Sequence, residues 1–461
     1  MRKFVLGYTA ALLATVLAVA GLAQWGAALY PAPASMLPLA AVAPAATAPP
    51  LLTLLLQMLV VIGVARLCGQ VFRRIGQPAV VGEIFAGILL GPSLLGLLWP
   101  QALAALFPPG GLAPLQLLGQ IGVLLFMFGV GLEVDLGELR RQTRAALVIS
   151  HASMALPFLL GMGLALAAFP LLAPPGVAFH AFALFLGIAM SITAFPVLAR
   201  ILEERRLMHT PLGRMAIACA AIGDVSAWCL LALVVALVHA HGPASAAWSA
   251  GLALLFVLAL HRLVKPLLQR RFPREPSGGG ALALALLLLL ACATFTESIG
   301  IHALFGAFLA GTVMPAGAAR RAPLRERLSG FSSAGLLPLF FALTGLRTQV
   351  GLLQGPQDWL LCGLIVVLAV AGKLGGTLLA ARFTGSGWRE SFKLGALMNT
   401  RGLMELIVLN LGYDLGILSG RVFTMLVLMA LLTTVATGPL LALARLGAGG
   451  TEAEEGARAS G

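Results

Sequence analysis

Apolar runs of about 20 residues, separated by short polar links, follow one another along most of the chain. An α-helix rises about 1.5 Å per residue, so each run can cross the roughly 30 Å hydrocarbon core of a bilayer. This pattern predicts an all-α polytopic membrane protein whose membrane domain, residues 51–446, has thirteen core helices. The helices are predicted to begin near residues 51, 79, 113, 145, 181, 213, 246, 280, 300, 333, 357, 392 and 421.

Basic residues fall in every second link between these runs. All but four of the 30 Lys and Arg residues lie in the alternate links or near the chain ends, and the exceptions are Arg347, Lys373, Arg401 and Arg421. Cytoplasmic links of membrane proteins are enriched in Lys and Arg. We therefore expect a multi-pass protein of the cell membrane, or of the inner membrane in a bacterium, whose core starts outside and whose C-terminus is cytoplasmic.

The two ends of the chain differ from the core. Residues 1–50 begin with Arg2 and Lys3, continue with an apolar run and finish in an Ala- and Pro-rich linker. Either a cleaved signal peptide or a retained extra helix fits this order, and both bring Leu51 to the outer face. Residues 447–461 are polar and are expected to form a short cytoplasmic tail.

Composition excludes several classes of protein. With 60% hydrophobic and 10% charged residues, the chain has too little polar surface for a water-soluble globule. The net charge of +13 does not predict a nucleic-acid partner, because the basic residues lie in the links without interleaved aromatic residues. The five cysteines form no CxxC motif, and we find no phosphate-binding loop and no nucleophile with a base. Neither an enzyme nor a resident metal or cofactor is predicted.

Ionisable residues interrupt three of the apolar runs. Asp224 lies near the centre of its run, where a carboxylate costs at least about 2.5–3.5 kcal/mol and is a functional-site hypothesis. Lys373 is equally deep in another run; it either snorkels to the interface or needs a buried anion, for which Asp224 is the expected partner. Arg401 and Glu405 are four residues apart and either neutralise each other or shape an ion path. The three interruptions predict one buried polar site.

Two pairs of segments resemble each other seven runs apart. EIFAGILLGP, residues 83–92, matches ALFGAFLAGT, residues 303–312, and aligns Gly91 with Gly311. FMFGVGLEVDL likewise matches FFALTGLRTQV and aligns Gly131 with Gly345. Because seven is odd, the matching helices cross the membrane in opposite directions. We therefore expect two inverted-topology repeats of the kind that secondary transporters use.

The same offset relates two runs that carry helix-breaking and polar residues. Run five contains Ser191, Thr193 and Pro196, and run twelve contains Asn399–Gly402. Proline removes a backbone N–H and frees a carbonyl, although a simple proline kink would have the same effect. Breaks at matching positions of two repeats predict crossing discontinuous helices with an ion or substrate site near the midplane.

With these motifs in place, the chain resembles the monovalent cation:proton antiporter-2 family, and most closely its plant-type cation/proton exchanger branch. The resemblance covers residues 51 to about 440 and implies a dimerisation part, a transport part and an elevator-like exchange of sodium or potassium for protons by a homodimer. It rests on six ordered motifs, QPAVVGEIFAGILLGPSLLG, SITAFPVLARIL, AIGDVSAWCLLAL, IGIHALFGAFLAGTVMP, LPLFFALTGLRT and NTRGLMELIVLN.

The resemblance also assigns roles to single residues. It implies that Asp224 carries the cation and the proton, and that Lys373, Arg401 and Glu83 match the AGK lysine, the TRG arginine and the GEI glutamate of the family. One position departs from the pattern, since Gly223 stands where these exchangers usually have Asn or Asp. The large cytoplasmic domain of ligand-gated members has no counterpart here, so we expect no regulation by a nucleotide bound to this chain.

Hard monovalent cations bind oxygen ligands, and both sodium and potassium fit the set that the sequence offers. We expect the cation/proton-binding residues to be Asp224, Ser191, Thr193, Thr400 and Ser226. We expect Lys373, Arg401 and Glu405 to compensate charge, and Glu83, near the cytoplasmic end of run two, to lie on the ion path. Two alternatives remain at this stage, a structural buried carboxylate at Asp224 and a sodium-coupled organic-anion symporter of similar fold.

Overall fold

The computed structural model describes residues 2–30, 51–108, 111–133, 144–207, 210–239, 243–271, 279–299, 302–315, 324, 326–328, 330 and 332–446. Within these ranges the chain is helical, with short links and no β-strand. The helices are α1 (Arg2–Leu29), α2 (Leu51–Arg74), α3 (Ala79–Leu90), α4 (Leu95–Leu98), α5 (Pro100–Leu106), α6 (Ala113–Glu133), α7 (Arg144–Leu172), α8 (Phe179–Ser191), α9 (Phe195–Glu204), α10 (Pro211–His239), α11 (Pro243–Ala259), α12 (Lys265–Arg271), α13 (Gly279–Ser298), α14 (Ala303–Val313), α15 (Leu337–Arg347), α16 (Pro356–Phe383), α17 (Trp388–Met398), α18 (Leu403–Asp414) and α19 (Gly420–Leu446).

The predicted all-α membrane fold is confirmed. Ten helices of the described residues are long and apolar enough to cross a bilayer, and three shorter apolar helices accompany them. Every start predicted from the apolar runs lies within about one turn of the start of an observed helix or of the π-helical turn that precedes α15. The protein is therefore a multi-pass membrane protein, while the exact number of crossings stays a prediction.

The helices form two groups by their packing. In the first, which we call the scaffold bundle, α2, α3 and α15 pack together, and α6 packs against α14 and α15 while α13 packs against α14. In the second, which we call the site bundle, α7 and α16 pack against each other and carry α8, α10, α17 and α19 around them; α9 and α18 complete it. The site bundle holds both interrupted helices.

Close glycine contacts explain how the scaffold helices pack. A methyl group added at Gly345 of α15 would lie 2.8 Å from the Cα atom of Gly87 of α3. The same group added at Gly131 of α6 would lie 2.9 Å from the Cα atom of Gly311 of α14. Small residues let two membrane helices approach this closely, which maximises van der Waals contact where lipid offers no hydrophobic driving force.

These contacts confirm the inverted repeat and correct its register. The α3–α15 contact corresponds to the α14–α6 contact when α3 is matched with α14 and α6 with α15, as the equivalence of two repeats requires. An added methyl group at Gly82 would lie 2.5 Å from the carbonyl oxygen of Cys68, and one at Gly306 would lie 2.5 Å from the carbonyl carbon of Cys292. Gly82 therefore corresponds to Gly306, and Gly87 corresponds to Gly311. The alignment of Gly91 with Gly311 is wrong by one helical turn, because small residues recur at four-residue spacing.

Both interrupted helices are present. α8 ends at Ser191 and α9 begins at Phe195, so Ile192–Ala194 separate them, and Ile192 has extended backbone angles, φ −71° and ψ 143°. On the other side, Asn399–Gly402 separate α17 from α18. The alternative of a continuous helix with a proline kink is therefore wrong.

Helix α1 contacts the site bundle rather than the scaffold. It packs against α7 and α8, and the ring of Tyr30, which follows it, lies 4.9 Å from the ring of Phe169 and 5.9 Å from that of Phe179. Residues 31–50 and 447–461 lie outside the described residues. A retained extra helix fits this contact, and whether the segment is cleaved stays a matter of prediction.

The glycine contacts make a prediction about stability. We expect Gly131→Ala to lower the melting temperature in detergent, because the new methyl group meets the backbone of α14 and overpacking of this kind costs about 1–3 kcal/mol. Gly129→Ala on the same helix is the matched control, since the added group would have no described atom of another helix within 4 Å. Equal melting temperatures for the two variants in a fluorescence-detected thermal assay would contradict the packing described above.

Candidate functional site

The two interruptions cross each other inside the site bundle. The backbone N–H of Ala194 donates a hydrogen bond of 3.1 Å to the carbonyl of Thr400. The hydroxyl of Thr193 donates a bond of 3.2 Å to the carbonyl of Met398. Extended backbone in an apolar interior needs such partners, because unsatisfied N–H and C=O groups are costly there. The crossing predicted from the repeat is thus confirmed.

Asp224 lies in the middle of α10 beside this crossing. Its side chain is buried, with 5% of the residue exposed, and neither carboxylate oxygen has a hydrogen-bond partner among the described residues. The backbone N–H of Phe195, which opens α9, approaches the carboxylate and favours its charged form without meeting the distance and angle of a full hydrogen bond, and the ammonium group of Lys373 adds a coulombic attraction. The positive end of a half-helix therefore faces the carboxylate.

Lys373 of α16 is fully buried and does not snorkel. Its Nζ atom donates a hydrogen bond of 2.5 Å to the hydroxyl of Thr193, and that hydroxyl donates its own proton to Met398. The snorkelling alternative is therefore wrong. The expected ion pair with Asp224 is replaced in this conformation by an interaction at longer range, since the ammonium group is held by Thr193.

Arg401 holds the end of α8. Its guanidinium donates to the carbonyl oxygens of Ala189 at 2.8 Å and Met190 at 2.6 Å, which lie in the last turn of that helix. The same group forms a salt bridge of 3.2 Å with Glu405, and both side chains are fully buried. The predicted pairing of Arg401 with Glu405 is confirmed, and the contact with α8 adds a second structural role.

The four half-helix ends at the crossing have matched polar partners. Arg401 lies at the C-terminal end of α8, and Lys373 reaches the C-terminal end of α17 through Thr193, where cations stabilise a helix dipole. The N-terminal end of α9 faces Asp224, whereas the N–H of Arg401, just before α18, donates to the hydroxyl of Thr434 at 3.2 Å. One repeat thus has a carboxylate where the other has a hydroxyl.

The other predicted ligands divide into two groups. The hydroxyls of Ser191 and Thr400 lie at the crossing, where they donate to the carbonyls of Ile188 and Leu397 and keep oxygen lone pairs free to accept. Ser226 instead lies 3.3 Å from Nε2 of His151 on α7. The structure therefore groups Ser191, Thr193 and Thr400 near the interrupted segments and turns Ser226 toward α7.

Gly223 and Glu83 lie away from the crossing. A methyl group added at Gly223 would lie 3.3 Å from the hydroxyl of Ser150, so this position also faces α7. Glu83 is buried in α3, which packs mainly against α2 and α15 of the scaffold bundle. Its side chain lies next to Gly69 of α2.

Sequence reasoning left Asn399 out of the site, although it is part of the NTR motif. The side chain is fully buried, its Nδ2 atom donates to the carbonyl of Thr433 at 3.3 Å, and its Oδ1 atom has no partner among the described residues. Asn399 directly follows α17, which packs against α10. The oxygens of Asp224 and Asn399 are therefore buried acceptors without donors, which a proton or a desolvated cation would satisfy.

Comparison with known proteins shows the family and the fold of the chain. The family model described as "Sodium/hydrogen exchanger, transmembrane" matches residues 59–443. The Na(+)/H(+) antiporter NhaS4 of Synechocystis sp. is 42% identical over 396 residues, which are 85% of this chain and 97% of the relative. Cation/H(+) antiporter 17 of Arabidopsis thaliana is 42% identical over 84% of this chain, and K(+)/H(+) antiporter 1 of Saccharomyces cerevisiae is 34% identical over 86%.

The chain spans about half the length of the plant and yeast relatives, 48% and 46%. Among solved structures, the sodium proton antiporter MjNhaP1 of Methanocaldococcus jannaschii has a TM-score of 0.60 and 14% identity, covering 85% of this chain and 97% of that protein. At this identity the likeness shows the shared fold.

The buried ion pair makes a prediction about stability. We expect Arg401→Gln to destabilise the protein strongly, by about 3–5 kcal/mol, because it leaves Glu405 charged without a partner and uncaps α8. The double variant Arg401→Gln with Glu405→Gln should recover part of the lost melting temperature, since no unpaired charge remains. A double variant less stable than Arg401→Gln alone would show that Glu405 is not compensated by Arg401.

Proposed function

Because the chain belongs to the transmembrane sodium/hydrogen exchanger family, we propose that it is a secondary antiporter that exchanges a monovalent cation, Na⁺ or K⁺, for protons. The observation that supports this most directly is the buried carboxylate of Asp224, which lies beside two crossing helix breaks and whose two oxygens form no hydrogen bond with the residues that the structure describes. The relatives are named antiporters, so the organic-anion symporter considered at first is not favoured.

Asp224 is the shared site in this proposal. A carboxylate that forms no full hydrogen bond with the described residues can bind either one proton or one cation, and binding of one excludes the other. This competition is sufficient for exchange if the site faces the two sides of the membrane in turn. A purely structural role is not favoured, because neither oxygen of Asp224 forms a hydrogen bond of normal geometry with the described residues and the backbone N–H of Phe195 is the donor that approaches them.

The cation ligands would come from the interrupted segments. Asp224 supplies the charge, the hydroxyl oxygens of Ser191, Thr193 and Thr400 supply neutral ligands, and the unpartnered Oδ1 atom of Asn399 is a further candidate. Ser226 joins this set only if its side chain turns away from His151. Glu83 would serve on the ion path from the scaffold side, as its position near the predicted cytoplasmic end of α3 suggests.

Lys373 is proposed as a fixed counter-ion. Thr193 has one hydroxyl proton, which it donates to Met398, so it must accept from Lys373. The C-terminal end of α17, close to Thr193, favours a positive charge. In this proposal Lys373 keeps its proton while Asp224 exchanges one proton for one cation, so the exchange is electroneutral.

The division into two bundles supports alternating access by an elevator-like movement. In this scheme the site bundle moves with Asp224 as a body against a scaffold bundle whose glycine contacts hold it rigid. We propose that the scaffold bundles of two copies form a homodimer in the cell membrane, with the C-terminus in the cytoplasm.

The central test is the substitution Asp224→Asn in reconstituted vesicles. We expect it to abolish cation-dependent dequenching of an internal pH dye, for both Na⁺ and K⁺. An amide takes up no proton at physiological pH and carries no negative charge to balance a bound cation. The control Glu390→Gln makes the same chemical change at a carboxylate whose side chain is 54% exposed, and it should transport at the wild-type rate. Exchange by Asp224→Asn at the wild-type rate would place the carrier elsewhere.

The counter-ion role of Lys373 predicts one-for-one exchange. The rate and the end point of exchange should not follow an imposed membrane potential, once proton leak is controlled with protein-free vesicles. Lys373→Gln should weaken the pH dependence of exchange more than it lowers the maximal rate, because the ammonium group tunes Asp224 without carrying the transported proton. An end point that shifts with the potential would instead mean that a second charge moves in each cycle.

A further inference from the structure

A polar cluster joins the scaffold bundle to the site bundle. Arg347 is the last residue of α15 in the scaffold, and its Nη1 atom donates to Oδ1 of Asn410 at 2.8 Å and forms a salt bridge of 2.9 Å with Asp414. Both partners lie on α18 of the site bundle. The amide of Asn410 in turn donates to the hydroxyl of Thr344 on α15 at 2.7 Å. Each bundle therefore donates a hydrogen bond to the other.

The position of Arg347 is unusual for a basic residue. It is one of the few that break the alternation of basic links, and it lies on the side that the charge pattern predicts to be external. The guanidinium is also 5.5 Å from the ring centroid of Tyr413, within range of a cation–π interaction. A side chain with three partners on one helix of the opposite bundle is placed to hold that helix.

The cluster borders a cavity of about 220 Å³ between the bundles. The cavity is lined from the scaffold by Gln116, Gln120 and Phe340 and from the site bundle by Ile407 and Leu411, with Arg347, Asn410 and Asp414 at its wall. Glu297 and His302, near the start of α14, also line it, and His302 acts electrostatically on Asp414. The cavity exists only while α18 stays beside α6 and α15.

We propose that Arg347 is an outer latch that positions the site bundle in the conformation with this cavity, by pairing with Asn410 and Asp414. The inference rests on the proposed function in one respect, that the site bundle moves against the scaffold. Any such movement of α18 along α15 by about one turn, roughly 5 Å, separates atoms that are now in hydrogen-bond contact. The latch must therefore open in every cycle, and its strength biases the equilibrium between the two conformations.

A second ion pair on the same predicted side provides a matched control. Arg421 of α19 pairs with Asp358 of α16 and also donates to the carbonyl of Leu171 on α7. All three helices belong to the site bundle, so this pair moves as a unit and need not open. Loss of Arg421 should not bias the movement.

The test measures conformation and transport separately. A single cysteine is placed at Gln120, an exposed residue of the cavity wall, in a protein whose native cysteines are replaced. In right-side-out vesicles, an impermeant maleimide is added outside and the labelling rate is followed. We expect Arg347→Gln and Asp414→Asn each to slow labelling by about 3- to 10-fold, the size expected for a partly exposed, charge-assisted contact. The double variant should equal the single ones, because they remove one shared contact.

The same variants should weaken the apparent affinity for the external cation by a similar factor, whereas Arg421→Gln should leave both readouts at wild-type values. Wild-type labelling in both single variants, or additive effects in the double variant, would overturn the latch. If labelling changes as expected but the wild-type protein exchanges no cation for protons, the latch stands and the proposed function fails.

Discussion

Two broken helices in an apolar interior impose the constraint on which the rest of the site depends, namely four helix ends that must be satisfied without water. Each break leaves carbonyls on one side and N–H groups on the other, and each unsatisfied group is costly at membrane depth. Arg401 donates hydrogen bonds to two carbonyls at the end of α8. Thr193, which accepts from Lys373, donates to the carbonyl of Met398 at the end of α17. Much of the buried charge thus has a structural origin.

The two repeats meet this constraint differently, and the proposed ion site lies where they differ. At the start of α18, the hydroxyl of Thr434 accepts from the backbone N–H of Arg401, and its single proton lies within hydrogen-bond distance of the carbonyls of Ala430 and Arg401, so a neutral group satisfies this helix end. At the start of α9, Asp224 brings two oxygens and a charge, and neither oxygen forms a full hydrogen bond with the described residues. The asymmetry between the repeats at this position supports the proposal that the ion binds at Asp224.

Sequence patterns could predict those features that depend on composition along one helix. The apolar runs placed the helices, and the paired interruptions near Pro196 and Thr400 placed the crossing. They could not predict the direction in which each side chain faces around its helix axis, or which helices that are distant in the sequence pack together. Ser226 follows Asp224 by two residues, about 200° around α10, and therefore faces His151 on α7 instead of the crossing. The sequence alignment of the two repeats was wrong by one turn because the small residues around Gly87 and around Gly91 form similar patterns.

Arg347 and Arg421 show how an exception to a pattern carries information. Lys and Arg are less common in the external links of membrane proteins than in the cytoplasmic ones. A basic residue on the predicted external side therefore suggests a role other than orientation of the chain. In the structure both are paired with carboxylates, Arg347 with Asp414 and Arg421 with Asp358. The two pairs differ in what they join: one connects helices of the same bundle, and the other connects helices of different bundles. A pair inside a bundle contributes equally to every rigid-body arrangement, whereas a pair between bundles stabilises only the arrangement in which it forms.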